Sequence, residues 1–363
     1  MMSVYDVTLT TLYPIHIGDG KELRNEFDFV TDGSLTYRLN VDRILEEKMK
    51  DPGTDQKRYP LPGNLLEKSE YQRYARYIVR GAPRSRRSDA RMKSFIKDIY
   101  DRPYIPGSSL KGALRTGLGW SILEDLDPNF KRKHFDWGGG KKAGRMIENQ
   151  IFRKNPKGDP AKDLLRALQI SDMTGLEKPG EGLMIANVQV ITKSDKGSPI
   201  ELEALKDGIV LKGTIKIEDE LFGDWTGGKL GFKDRKHWLD ELMPRVHGFT
   251  LNRVRPLLQW FSNAGVSNIV KFYRDILNFD ISKNQAILQV GWGGGWDSKT
   301  FGSHLKKNET LFKNLLKRYG MRKGKGPVRD FPVSKRVVNK QVEGEYIPFA
   351  PLGWVLMEMK ERA

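Results

Sequence analysis

The segment Tyr104-Ile-Pro-Gly-Ser-Ser-Leu-Lys-Gly-Ala-Leu-Arg-Thr116 constrains this chain more than any other. Pro106-Gly107 sets a turn, and Ser108 or Ser109 suits the N-cap of a helix that follows at once. That helix is expected from Leu110 to Leu126, where Asp127-Pro128 stops it. Lys111 and Arg115 stand four residues apart, on one helical face near the positive end of the helix. Amides at such an end bind phosphate, and two cations beside them strengthen the site. The same residues also read as an ordinary capped helix with a solvated Lys and Arg. The surrounding sequence must decide between the two.

Charge favours the first reading. Lys plus Arg number 63 against 46 Asp plus Glu, a net charge of +17. Such an excess points to a polyanionic partner, most often nucleic acid. No apolar run approaches the length of a membrane span, and Met1-Met2-Ser-Val-Tyr-Asp has neither the basic nor the apolar region of a signal peptide, so no membrane role is expected. The chain has no cysteine, which removes disulfides, cysteine zinc sites, Fe–S clusters and thiol nucleophiles together. That usage fits a cytoplasmic location. The histidines, at 16, 134, 237, 247 and 304, have no paired helical spacing, so neither metal nor cofactor is expected.

Along the chain, residues 3–13 are β-branched and alternate, the pattern of a strand. Residues 40–50 look helical, and a short helix is expected near Leu65–Val79. Residues 131–159, with Trp137-Gly-Gly-Gly-Lys-Lys142, read as a long loop. Strands are expected at Leu183–Thr192 and Gly208–Glu218. Helices follow at 236–243 and at 256–278, the latter starting from Pro256. A strand at 286–290 runs into Gly291-Trp-Gly-Gly-Gly-Trp296, and a helix near 303–319 precedes strands around 331–338 and 353–359.

The strongest elements give the order βαββαβ. The fold class expected is α+β: a modified ferredoxin-like or RRM-like core with an antiparallel sheet, large inserted loops and helical segments. One composite domain spans 1–363. Its core segments are 1–18, 103–127, 183–218, 256–290 and 331–363, with insertions at about 19–102, 128–165 and 291–330. Neither 183–192 nor 208–218 holds an aromatic residue, so RNA contact is expected from loops and not from bases stacked on the sheet.

Several groups are candidates for chemistry. Gly107-Ser-Ser-Leu-Lys-Gly112 has the glycine spacing of a Walker loop, but Ala113-Leu114 stand where Lys and then Ser or Thr belong, so nucleotide hydrolysis fails. In the late glycine run, Gly293 and Gly294 could let a phosphate backbone pass while Trp296 stacks on a base; a tight turn with core tryptophans is the alternative. Arg84, Arg86 and Arg87 follow Tyr71, Tyr74 and Tyr77, a combination suited to phosphate contact with base stacking, or else a solvated loop. A second basic run extends from Lys317-Arg318 through Arg322–Lys325 to Lys335-Arg336. His16, at a strand end beside glycines, is the best-placed general base, and Asp19 and Asp28 could hold a divalent ion. For these three the plainer reading is a hydrogen-bonded loop.

Pro106-Gly-Ser-Ser-Leu-Lys-Gly-Ala-Leu-Arg115 resembles the hallmark helix start of the RAMP superfamily of CRISPR-associated RNA-binding proteins. Pro14-Ile-His-Ile-Gly18, Gly291–Gly295, and Phe331–Val338 with Pro351-Leu-Gly-Trp-Val are similar to further islands of that superfamily. Within it, the likeness is strongest to the fifth-subunit branch of type III-A (Csm) effector complexes. The resemblance implies a Cas7-like, non-enzymatic subunit that binds the 3′ region of the guide RNA (crRNA), caps a row of backbone subunits and supports crRNA maturation. Implied partners are crRNA, target RNA, the repeated Cas7-like backbone subunit, the small helical subunit and trimming nucleases. Ser108, Ser109, Lys111, Arg115, His16, Arg84, Arg86, Arg87, Gly293, Gly294 and Trp296 would be its RNA-binding residues. A RAMP-type endoribonuclease using His16 or an Asp-bound metal is the alternative.

Overall fold

The computed structural model describes residues 2–49, 60–126, 144–154, 158–192, 196–321 and 331–362. In chain order the first elements are β1 (Ser3–Thr11), β2 (Gly18–Arg24), β3 (Phe29–Asp32), β4 (Leu35–Leu39), α1 (Val41–Lys48), β5 (Ala75–Arg80), β6 (Arg91–Phe95), α2 (Gly107–Asp125) and α3 (Arg145–Arg153). β7 (Leu168–Ile170), β8 (Leu183–Ile191), β9 (Lys196–Leu205) and β10 (Val210–Ile217) follow. Then come α4 (Asp224–Leu230), α5 (Lys236–Asp240), α6 (Leu242–Asn263), α7 (Ser267–Asn278) and β11 (Gln285–Gln289). The chain closes with α8 (Gly302–Lys306), α9 (Glu309–Arg318), β12 (Lys335–Val342), β13 (Glu345–Ala350) and β14 (Trp354–Glu361).

The strands form two sheets, and the molecule is a mixed α+β structure. The first sheet is antiparallel throughout, in the order β11-β14-β1-β10-β7. Alternation places Val7 and Leu9 of β1, Leu211 and Ile215 of β10, and Val355 and Met357 of β14 on buried positions. Onto these pack Leu110, Leu114, Leu118 and Ile122 of α2, spaced by four so that they line one helix face. α6 lies against both α2 and β11. The second sheet runs β2-β6-β9-β8-β5-β4-β3, and the β12–β13 hairpin joins it through β8.

Several expectations need correction. Leu183–Ile191 does not stand in the sheet of β1; it pairs with β9 and β12 in the second sheet, and the short β7 lies beside β10 instead. The helix expected near 65–79 is two short 3₁₀ turns, Pro62–Leu65 and Lys68–Glu70, followed by β5. The reason is period: Tyr77 and Val79 are buried while Arg76, Ile78 and Arg80 are exposed, an alternation by two. The stretch expected as an insertion at about 19–102 carries strands β2 to β6, all of them in the second sheet. The helix expected from Pro256 is two helices, and Pro256 lies inside α6. Gly265, at φ +71°, makes the break between them. Part of the expected 131–159 loop is the amphipathic α3, with Ile147, Ile151 and Phe152 buried, while Trp137–Lys142 lies outside the described residues, as does Arg322–Lys325. The helix near 303–319 is split into α8 and α9.

Candidate nucleic-acid interface

The expected helix forms as α2, but it begins at Gly107, ahead of the expected Leu110, and its cap and chemistry differ from the sequence expectation. Pro106 occupies the N-cap position, and no side chain of the helix's own start caps it. Ser108 is exposed and Ser109 half-buried, but neither makes the expected cap bond. Instead the Gly107 amide donates to Asp172 Oδ1 at 2.8 Å, so a carboxylate from 65 residues away already sits at the positive end of the helix. Lys111 Nζ donates to the Leu168 carbonyl at 2.7 Å, and burial pushes its pKa down. Arg115 is engaged more fully. Its Nη1 and Nη2 donate to both oxygens of Asp163 at 2.8 and 3.0 Å, and its Nε to Glu148 Oε1 at 2.7 Å. The guanidinium also lies 3.9 Å from the Phe152 ring centre. Burial raises the Asp163 carboxyl, yet hydrogen bonds from Arg115 and Arg153 outweigh it and hold the pKa below the ordinary value. The pair predicted as a phosphate grip thus clamps α2 to α3 and to the turn before β7.

The N-terminal, glycine-loop and C-terminal islands of the sequence meet in one place. The His16 carbonyl accepts from the Trp292 amide at 2.8 Å, and the Gly353 amide donates to the Pro14 carbonyl at 2.8 Å. The Val290 amide donates to Gly353 at 2.7 Å, and Gln289 Nε2 to the Leu352 carbonyl at 2.6 Å. Two glycines make this junction possible. Gly291 has φ +80°, and a Cβ there would lie 2.4 Å from the His16 carbonyl oxygen; at Gly353, φ +81°, it would lie 2.3 Å from the Val290 oxygen. Trp354 beneath them is fully buried against Phe272 and Tyr273.

His16 itself is 2% exposed. Its Nδ1–H donates to the Glu203 carbonyl at 2.7 Å, its ring packs edge-on to Phe95 and Trp292, and burial pushes its pKa down. A neutral imidazole enclosed in this way shapes the loop, and its ring is not presented to a 2′-hydroxyl. Asp19 accepts from the Lys21 amide at 2.9 Å and the Ser94 hydroxyl at 3.2 Å. Asp28 holds the Arg24 amide at 2.8 Å and lies 3.3 Å from Arg38.

Around the glycine loop, Trp296 packs on Phe312 and Phe331, so it anchors a small core and lies over Gly302. Gly293 lies against Leu352, and Gly294 against Ser298 and Gln289. Two cations on the rim have no carboxylate partner among the described residues. Arg336 lies over the Trp292 ring at 5.0 Å, with its Nε buried and unbonded. Lys299 is exposed at the rim, yet desolvation by the surrounding protein and then nearby Arg253 hold its pKa below the ordinary value. Lys299 also lines a cavity of about 490 Å³ shared by Arg115, Glu148, Trp296, Phe301 and Tyr319, which brings the opening motif and the glycine loop to one concavity. Arg336 closes the second basic run noted in the sequence, whereas no sequence pattern marks Lys299.

The arginine run is distributed differently. Arg84 stacks over Tyr346 at 4.2 Å, and its amide donates to Glu201 at 3.1 Å. Arg86 bonds Thr31 and the Gly33 carbonyl, and Arg87 forms an exposed pair with Asp89 at 3.0 Å. Tyr71 contacts Tyr37, Tyr74 is buried, and Tyr77 donates to Glu203 at 2.9 Å, so none of the three stands beside the run as an open ring.

The RAMP superfamily model matches residues 8–298, most of the chain, and takes in the α2 start and the glycine loop together. The chain belongs to the RAMP superfamily. Among its relatives in that superfamily is the CRISPR system protein Csm5 of Methanocaldococcus jannaschii, 28% identical, with 98% of this chain and 89% of the relative covered. Csm5 of Mycobacterium tuberculosis is 24% identical, with 82% and 83% covered. Among solved structures, a chain of a Csm–crRNA–target RNA ternary complex of a type III-A CRISPR–Cas system superposes with a TM-score of 0.70 at 23% identity, covering 98% of this chain and all of that one. The crystal structure of T. onnurineus Csm5 gives 0.62 at 20% identity, with 96% and 99% covered. The fold is therefore shared with those two structures along essentially the whole chain. Among the described residues, no helix is long and apolar enough to cross a membrane.

Proposed function

We propose that this RAMP protein is a crRNA-binding subunit of a type III-A effector complex that caps its backbone near the crRNA 3′ end and performs no turnover itself. The end-to-end match to Csm5 of M. jannaschii carries this reading. The five-stranded sheet is, on this reading, a modified ferredoxin-like core: β14, β1, β10 and β7 lie side by side and antiparallel, with α2 and α6 as the crossing helices. The RNA path runs over the glycine loop. There Gly293 and Gly294 shape the loop by packing against Leu352, Ser298 and Gln289, and Lys299 and Arg336 supply charge that no carboxylate among the described residues neutralises. Lys111 and Arg115 act indirectly, by holding α2 to α3 and to the segment before β7. His16 serves the path by holding the glycine loop from below. Support for a binding role over a cutting one comes from the enclosed His16 and from Asp19 and Asp28, both occupied with their own loops.

The test is RNA binding by the purified chain at several salt concentrations. Replacing Lys299 and Arg336 together by Ala should weaken binding across sequences and lower the salt slope by about two. An unchanged slope would overturn the glycine-loop path. Incubation with precursor crRNA, with and without Mg²⁺ or Mn²⁺, should leave it intact; cutting that disappears in Asp19→Ala or His16→Ala would make the protein a nuclease.

A further inference from the structure

The loop between β6 and α2 holds two apolar side chains out in solvent. Ile99 is 86% exposed and Tyr100 62%. They do not sit on a slack segment. The Asp98 amide donates to the Arg102 carbonyl at 3.0 Å, and Asp98 Oδ1 accepts from the Tyr100 and Arg102 amides, both at 2.9 Å. Arg102 Nε returns to Asp98 Oδ2 at 2.7 Å, and its guanidinium lies 4.8 Å from the Tyr100 ring centre. Asp101, held at φ +58°, is gripped by both forks of Arg76 at 2.8 and 2.9 Å, and its carbonyl accepts from Gly180 at 2.8 Å. A bridge between Lys97 and Pro103 closes the base. A left-handed aspartate costs on the order of 1–3 kcal/mol. Two ion pairs, four hydrogen bonds to backbone groups and the closing bridge therefore hold a strained tip whose outward product is an apolar knob.

Charge selects the occupant. Arg76 and Arg102 are tied to Asp101 and Asp98, and Lys97 is buried against Glu203 at 2.6 Å. The adjoining turn adds Asp172, Glu177 and Glu181 against Lys178 and Lys206. On a chain of +17 this corner has no surplus of positive charge, so nothing here attracts a phosphate backbone. A pre-ordered aliphatic and aromatic pair with a charge-balanced rim is the make-up of a protein–protein hot spot.

We infer that Ile99 and Tyr100 are a docking knob that enters an apolar pocket on a neighbouring protein subunit. The inference rests on the reading of this chain as a complex subunit and gives that reading a contact point. The test uses the effector complex purified through a tag on this chain. A photo-crosslinking phenylalanine analogue at position 100 should join a stoichiometric protein subunit of that complex and leave the RNA unmarked. The double variant Ile99→Ser, Tyr100→Ser should lose about tenfold or more in affinity for the rest of the complex. Its RNA affinity and melting temperature should stay those of the parent. A crosslink to RNA, or assembly that withstands the double variant, would overturn the knob. A parent chain that retains crRNA but no protein subunit would overturn both the knob and the capping role, and one that retains neither would remove the RNA-binding reading as well.

Discussion

The start of α2 and the glycine-rich loop carry the same kinds of residue, glycines beside cations, yet the fold uses them in opposite ways. At α2 both predicted cations and the first helical amide have internal partners: Asp172 on the Gly107 amide, Leu168 on Lys111, and Asp163 with Glu148 on Arg115. At the loop the glycines are fixed by backbone contacts with the chain's own termini, and Lys299 and Arg336 have no anion to answer them among the described residues. A buried, hydrogen-bonded ion pair gives geometry; a cation without a counter-charge gives a site for someone else's anion. Motif membership does not distinguish the two. The positions of distant carboxylates do.

The contrast can be broken most sharply at the loop's own hinge. Gly291→Ala should cost about 3 kcal/mol or more, because a positive φ and a carbonyl oxygen 2.4 Å from the new Cβ act together. Chemical denaturation would measure it. A loss under 1 kcal/mol would mean that the loop is not pinned to the strand end at His16.

Arg115→Ala should come next, at about 2–3 kcal/mol, since it leaves Asp163 part-buried with Arg153 as its one remaining counter-charge among the described residues. The acid limb offers an independent readout. A carboxyl held below its ordinary pKa contributes stability that is present above its unfolded value and is lost as pH falls through the folded one. Removing Arg115 raises the folded pKa of Asp163, so part of that stability disappears and the acid transition moves to higher pH. RNA salt dependence should stay as in the parent; a drop in slope equal to that of Lys299→Ala would restore Arg115 as a direct phosphate contact.

The smallest effects separate the two caps of α2. Asp172→Ala should cost about 1 kcal/mol by removing the bond to Gly107, whereas Ser108→Ala should change stability by no more than about 0.5 kcal/mol. The reverse order would reinstate the serine cap that the local sequence suggests.

Much of the architecture was legible from residue order. β1, β8, β10, β11 and β14 follow alternation or short apolar runs, and α2 follows its leucines at intervals of four. What was missed has particular causes. β9 was hidden because Glu201 and Glu203 break the apolar pattern; Glu203 is nevertheless 1% exposed, since Lys97, Tyr77 and the Phe95 amide satisfy it. β5 reads as helix because tyrosines at 71, 74 and 77 mimic a helical stripe, although only the stretch from Ala75 onward enters the ladder.

By itself, then, the sequence determined the α2 start, the net charge and the islands within residues 8–298 that the RAMP superfamily model matches, because turn chemistry, periodicity and composition act over short ranges. Tertiary structure alone decided which cations remain available and which sheet each strand enters. Asp163, Leu168 and Asp172 lie 48 to 65 residues from the groups they engage, and no local rule reports a partner at that distance. Burial then makes each such pairing obligatory, because an unpaired charge inside the protein would cost more than the contact it replaces.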